Sequence, residues 1–287
     1  MRHRLTLRVG PTTFRIGSPW AAPIAAVRQL YRDYPQPDDA VADFTVRLQP
    51  VKPWRQWLRP SILIAGDHML ADAAPMALAH GLLAAEMGMN LQMALGWRRH
   101  LLLHAATVEK DGRAIILSGE SGSGKSTMAA LLGERGWRLM GDEFALVDPH
   151  SGLLLPFPRL VSLKNEAVAA VRSVVGEARL GPMMAGTAKG DIRHLVPRTE
   201  AVARMDEPAR PVLVLFPRFG APGTARPMDA AESFVRLTQA STNYVAMGEA
   251  GFHALTTLAT GVPAVAIDYA SGEEGMAMVE ALFGEVA

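Results

Sequence analysis

The sequence predicts an α/β fold organised around a phosphate-binding loop, with a smaller mixed α/β region ahead of it. Three stretches carry that expectation. Gly119-Glu120-Ser121-Gly122-Ser123-Gly124-Lys125-Ser126-Thr127 fits the pattern G-x-x-x-x-G-K-[ST] at every position. Its flanks are right: Ala114–Ser118 is a short β-branched run that reads as a buried parallel strand. After the loop, Met128, Ala129, Leu131 and Leu132 recur at helical spacing over Ser126–Arg135, closed by Gly136. Third, Arg138-Leu139-Met140-Gly141-Asp142-Glu143 sets two acids directly after a short apolar strand.

Residues 1 to 72 read as a mixed, β-rich region. Arg4–Val9 and Ala42–Leu48 alternate, as do parts of Ser61–Ile64, and prolines at 35, 37, 50, 53 and 60 cut the region into short pieces. Trp54 and Trp57 fall in one of those loops, where local packing is the expected role. Pro75–Arg99 reads as one long helix, with Met76, Leu78, Leu82, Leu83, Met87, Leu91 and Leu95 along it, connecting to a phosphate-loop domain over 73–287. Leu101–Val108 reads as a strand that turns at Glu109-Lys110-Asp111-Gly112 and pairs with the strand before the loop. Trp137–Met140 is the second strand of the core, followed by the segment Leu153–Arg159. Gly181–Gly190 has little core-forming character and is expected to be a mobile loop. Further on, a buried strand over Val212–Phe216 ends at Pro217-Arg218. Helices near 230–240 and 251–260, a strand over Val262–Tyr269 and a helix over Glu273–Phe283 complete the pattern.

Composition narrows the function classes. A net charge of +1 gives no electrostatic case for nucleic acid or a membrane surface as partner. Cysteine is absent, which removes disulfides, thiolate chemistry and Cys-type zinc sites. Ala73–Leu95 is interrupted by His80, Glu86, Asn90 and Gln92 and reads as a soluble core helix, not a membrane span. Met1-Arg2-His3-Arg4-Leu5 has no apolar run after its basic residues, so no secretory signal is expected. The expectation is a cytoplasmic globular protein. Self-association stays open.

The loop points to a nucleoside triphosphate with Mg²⁺. Glycines let backbone N–H groups of residues 119–127 turn inward around phosphates, and the helix start adds the positive end of its dipole. Lys125 would reach the β and γ phosphates, and the Ser126 hydroxyl would ligate Mg²⁺. An acid after a short strand would be the second metal contact, so Asp142 joins Ser126 as a metal ligand. Either Glu143 or Asp142 would take the proton from an attacking hydroxyl. Arg159 and Lys164 supply cations shortly afterwards, as does Arg218 after a buried strand. Thr187, Lys189 and His194 are candidates for a lid. Asn243 and Tyr244 are candidate adenine or acceptor contacts, with loop packing as the plainer reading.

Asp142 follows Lys125 by 17 positions, room for one helix of about ten residues and one short strand. With that tight return, the chain resembles the HPr kinase/phosphorylase family, whose catalytic core is similar to that of phosphoenolpyruvate carboxykinase. The resemblance rests on His104, on the G-[DE]-S-G-x-G-K-S match over Gly119–Ser126, and on Asp142 with Glu143. It is strong over residues 101–165. It implies an HPr-kinase type phosphate-loop core and an ATP- and Mg²⁺-dependent Ser/Thr kinase acting on a protein or peptide hydroxyl. It also implies a catalytic role for His104 at the γ-phosphate or the acceptor, beside Lys125, Asp142 and Glu143. Three departures stand: the acid pair is Asp-Glu where the family has Asp-Asp; no segment matches that by which HPr kinases grip HPr; and the first hundred residues do not look like the family's N-terminal domain. The chain is therefore more similar to HPr-kinase-like proteins found beside peptide-modification genes. A nucleotide-binding or hydrolysing accessory module for peptide modification, and a small-molecule kinase, remain alternative readings.

Overall fold

The structure, a computed structural model, describes residues 1–70 and 72–286. They divide into two units: Met1–Trp97 with Gly181–Ile192, and Arg98–Leu180 with Arg193–Ala287.

The first unit runs β1 (His3–Val9), β2 (Thr12–Ser18), α1 (Ala21–Leu30), β3 (Phe44–Pro50), β4 (Ser61–Gly66), β5 (Met76–Ala77) and α2 (Gly81–Gly96). The strands form a five-stranded sheet in the order β1-β2-β3-β4-β5. Only β2 and β3 pair in parallel, and a parallel pair needs a crossover, which α1 provides. α1 escapes sequence reading because Pro23 lies within it and its N-cap, Trp20, makes no capping bond. The helix expected over 75–99 is shorter. Met76 and Ala77 pair with β4, Leu78–His80 is a 3₁₀ turn, and Trp97 leaves the helix in an extended conformation. It also belongs to this unit rather than bridging to the next, so the division falls near residue 97 instead of 72. Its backbone packs closely on the sheet, since a Cβ on Gly88 would lie 2.4 Å from Val46 Cγ1. Trp54 and Trp57 are exposed: Trp54 lies on a 3₁₀ turn, Pro53–Gln56, with the Arg55 guanidinium 4.8 Å from its ring centre, and Trp57 is the C-cap of that turn.

The second unit begins with β6 (Leu101–Leu103), β7 (Ala105–Lys110), β8 (Arg113–Ser118), α3 (Lys125–Gly133), β9 (Arg138–Gly141), β10 (Ala145–Val147), β11 (Leu154–Leu155), β12 (Val161–Lys164) and α4 (Glu166–Val175). Residues 181–192, which belong to the first unit, carry β13 (Met184–Thr187) and the start of β14 (Gly190–Leu195), an antiparallel hairpin where a mobile loop is expected. Thr187 Oγ1 closes its turn by donating to the Gly190 carbonyl at 2.6 Å. After it come α5 (Thr199–Ala203), β15 (Arg210–Phe219), β16 (Thr224–Met228), α6 (Ala230–Ala240), α7 (Tyr244–Met247), α8 (Glu249–Gly261), β17 (Ala264–Tyr269) and α9 (Gly272–Glu285).

The central sheet has six strands in the order β16-β17-β15-β8-β7-β9. Period-two alternation gives it two apolar faces. Ile115 and Leu117 of β8 join Leu213, Leu215 and Ile267 under α3 and α9. Ala114 and Ile116 point the other way with Val214 and Phe216, under α6 and α8. Pairing direction decides where the candidate site residues meet. β15 and β17 run parallel to β8, while β7 runs antiparallel to both β8 and β9. The C-terminal ends of β8, β9, β15 and β17 and the start of β7 therefore share one edge of the sheet. That edge collects the loop after β8, the acids after β9 and His104 before β7.

Leu101–Val108 is not one strand. It breaks at His104, whose N–H donates to the Ala240 carbonyl at 2.8 Å, and β6 pairs with β10 in a separate sheet. The turn is shorter than expected: Glu109 lies within β7, and its Oε1 accepts from the Gly112 N–H at 2.6 Å. Glu109 is 2% exposed and paired with Arg138 of β9, whose Nη1 also donates to the carbonyls of Arg204 and Glu207 at 2.7 and 3.0 Å.

Candidate functional site

The loop takes the shape its glycines allow. Gly119, Gly122 and Gly124 have φ of 152°, 89° and 96°, a region that side chains with a Cβ avoid. Gly124 is the N-cap of α3, so the backbone turns from loop to helix at that residue. The Tyr269 hydroxyl donates to the Ser123 carbonyl at 3.2 Å and fixes the far side of the turn. Glu120, Ser121 and Gly122 are exposed, whereas Ser123, Gly124, Ser126 and Thr127 are half-buried.

Lys125 is buried and its Nζ donates to the carbonyls of Gly119 and Glu120, at 2.7 and 2.8 Å. Burial lowers its pKa, opposed by Asp142 and Glu143, with the nearby Lys164 cation adding to the fall. Asp142 is 3% exposed directly after β9. Its Oδ2 accepts from the Ser162 N–H at 3.1 Å, and the nearby Ser126 hydroxyl favours the charged carboxylate. Its Oδ1 is buried with no hydrogen bond in the protein. Burial, reinforced by the Glu143 charge, pushes the Asp142 pKa up to about 7 despite the two serines. Glu143 is less buried, and its Oε2 lies 3.7 Å from His104 Nδ1. The His104 pKa is lowered, by burial first, with Glu143 opposing and Lys125 and Lys164 assisting. The imidazole is therefore neutral around pH 7, able to accept a proton at one nitrogen.

Asp142 provides the test of whether Mg²⁺ fits here. A buried carboxylate oxygen without a partner is costly, and a divalent cation on it would relieve both that cost and the raised pKa. Among the described residues no group of three or more His, Cys, Asp or Glu is arranged to hold a metal. A nucleotide-bound Mg²⁺ does not need one, because it keeps waters and takes phosphate oxygens with one or two protein ligands. Asp142 and Ser126 are the residues that fit.

Other candidates separate. Arg159 is 2% exposed beside Phe157, 5.9 Å from that ring, so it is no solvated loop cation. Lys164 is half-buried on β12, on the face opposite the core residues Val161 and Leu163. Arg218 is exposed at the end of β15 and holds both carboxylate oxygens of Asp268, at 2.8 and 2.5 Å. Asn243 is structural: its Oδ1 accepts from Leu102 N–H and its Nδ2 donates to the His100 carbonyl, both at 2.9 Å. His194 is 2% exposed within β14 and does not belong to a loop. Sequence reading missed Tyr269 and Ser162 as loop and acid supports. Tyr269 carried a signal in ending a buried strand, but Ser162 acts through its backbone, which no residue type betrays.

Residues 85–172, which include the loop, the acid pair and His104, match the family model described as SynChlorMet cassette protein ScmC. No curated protein matches the chain. Among solved structures, the HPr(Ser) kinase/phosphatase from Coxiella burnetii is similar over 64% of this chain and 98% of its own, at 15% identity and a TM-score of 0.30. No helix among the described residues is long and apolar enough to cross a membrane.

Proposed function

We propose that this protein is a nucleotide-dependent kinase that moves the γ-phosphoryl group of ATP to a hydroxyl on a protein or peptide. One observation carries the reading: Lys125, Ser126, Asp142, Glu143 and His104 come to one edge of the sheet, around a glycine loop that opens a helix. A loop alone would serve a binding module. An acid pair with unequal burial beside it supplies the two roles that phosphoryl transfer needs.

Bound Mg²⁺ supplies charge neutralisation on the phosphates and their alignment for in-line attack. The N–H groups of 119–127 and the helix start cradle phosphate oxygens. Lys125 exchanges its two carbonyl partners for phosphate oxygens and offsets charge that builds up during transfer. Asp142 and Ser126 would hold the metal. Glu143, more accessible and beside a neutral His104, accepts the proton of the attacking hydroxyl, with His104 orienting its carboxylate.

The test is incubation with γ-labelled ATP, Mg²⁺ and extract from the source organism. Label on a polypeptide, stable to neutral hydroxylamine and recovered as phosphoserine or phosphothreonine, supports the proposal. Label released only as inorganic phosphate supports an accessory hydrolase, and label on a small molecule supports a small-molecule kinase; either overturns it.

A further inference from the structure

The edge of the sheet that carries the loop holds more than phosphate chemistry uses. Asp142 follows β9, to one side of β8. On the other side lie β15 and β17, which end in Phe219 and Tyr269 as paired neighbours. Tyr269 is 3% exposed, and its hydroxyl is bound to the loop at Ser123. Phe219 leans on it, with ring centroids 5.6 Å apart and planes 59° apart, yet is itself 53% exposed.

Single exposed apolar residues are ordinary on protein surfaces. Phe219 differs in where it stands and how it is held. A Cβ on Gly124 would lie 3.5 Å from Phe219 Cβ, so the Phe219 side chain starts beside the loop's last glycine. The Gly220 N–H donates to the Tyr269 carbonyl at 2.9 Å and anchors the backbone just past the ring. The neighbouring cation does not cover the ring, because Arg218 is engaged with Asp268. A flat apolar surface, fixed beside a phosphate cradle and on the side away from the metal ligand, matches the remaining part of a nucleotide: its base.

We infer that Phe219 is the platform on which the base of the bound nucleoside triphosphate stacks, with Tyr269 bracing that platform against the loop. The inference rests on the nucleotide reading of the loop. Every base has a π-face, so a stacking platform favours binding without choosing strongly between bases. Mg-ATP and Mg-GTP should both depend on Phe219.

The experiment compares calorimetric binding of Mg-ATP and of Mg-tripolyphosphate, which has phosphates and no base. Wild type, Phe219→Ala, Phe219→Tyr and Lys125→Ala are titrated with each. Phe219→Ala should weaken Mg-ATP about tenfold or more, the size expected for loss of one base–aromatic stack. It should leave Mg-tripolyphosphate unchanged, and Phe219→Tyr should bind Mg-ATP like wild type. Mg-ATP affinity that survives Phe219→Ala intact overturns the platform, as does an equal loss for tripolyphosphate. Lys125→Ala should lose both ligands. If it loses neither, or if wild type binds neither, the loop reading itself falls and takes the platform with it.

Discussion

Nδ1 of His104 lies 3.7 Å from Oε2 of Glu143, across the point where the chain breaks between two sheets. The break holds the imidazole over the acid rather than in a continuous strand, where its neighbours would be a ladder partner and the core. Glu143 is the more exposed acid of the pair, and Asp142 the buried one.

Unequal burial predicts unequal phenotypes. Glu143→Gln should bind Mg-ATP like wild type but transfer about 10² to 10⁴ times more slowly, the usual contribution of a general base. Single-turnover transfer measured beside equilibrium binding separates the two quantities. Wild-type turnover in this variant would remove Glu143 as the base.

Asp142→Asn should behave differently. The substitution removes a buried carboxylate whose ionisation burial disfavours, so the free protein should melt no lower than wild type. The stabilisation that Mg-ATP gives wild type should be largely lost, because a ligand stabilises only the state that binds it. Thermal melts with and without Mg-ATP measure both. Full stabilisation by Mg-ATP in the variant would exclude Asp142 as a metal ligand.

The Glu109–Arg138 pair predicts a pH-dependent stability. Burial would raise the Glu109 pKa, but Arg138, the Gly112 N–H and Arg204 hold it below its ordinary 4.5. A depressed carboxylate contributes stability that is present above the unfolded value and lost as pH falls through the folded one. Glu109→Leu leaves Arg138 buried without its acid and should cost about 3–5 kcal/mol at neutral pH. That difference from wild type should shrink once the pH falls below 4.5. Denaturant melts across this range check the sign; a constant difference would mean that the pair's charge contributes nothing.

Legibility in the sequence tracks how local each cause is. The loop, α3 and β9 were readable because glycines, helical spacing and an acid pair act within a few residues of one another. α6 was readable to its ends, Ala230–Ala240, since Asp229 caps it by accepting from the Glu232 N–H at 2.8 Å. The break at His104 was not, because apolar Leu101–Leu103 and Ala105–Val108 look like one run. Distant partners interrupt them: Ala240 accepts from the His104 N–H, and β10 takes Leu101–Leu103 into another sheet. The boundary near residue 97 was missed for the same reason, as α2 packs on β3 and β4 of its own unit rather than on the strands after it. Among the candidate site residues, side-chain types alone put forward Lys125, Ser126 and the acids. The supports, Ser162 through its N–H and Tyr269 through Ser123, depend on which strand ends the fold brings together.

Gly124 gives a prediction about the loop's shape. Its φ of 96° is unfavourable for a residue with a Cβ, and that Cβ would lie 2.1 Å from the Tyr269 hydroxyl. Gly124→Ala should therefore destabilise the free protein by about 1–2 kcal/mol from the backbone alone, with more from displacing Tyr269. Mg-ATP affinity should fall with it. Wild-type stability and affinity together would mean the loop is free to adopt another shape.

The central claim is that a glycine loop with its lysine holds a metal-bound nucleotide at this sheet edge. Equilibrium binding of Mg-ATP to wild type and to Lys125→Ala tests it most directly, with a circular-dichroism melt of each protein to show that both are folded. The account predicts saturable, Mg²⁺-dependent binding to wild type and its loss in the folded Lys125→Ala variant. Equal binding by the two proteins, or none by wild type, would contradict it.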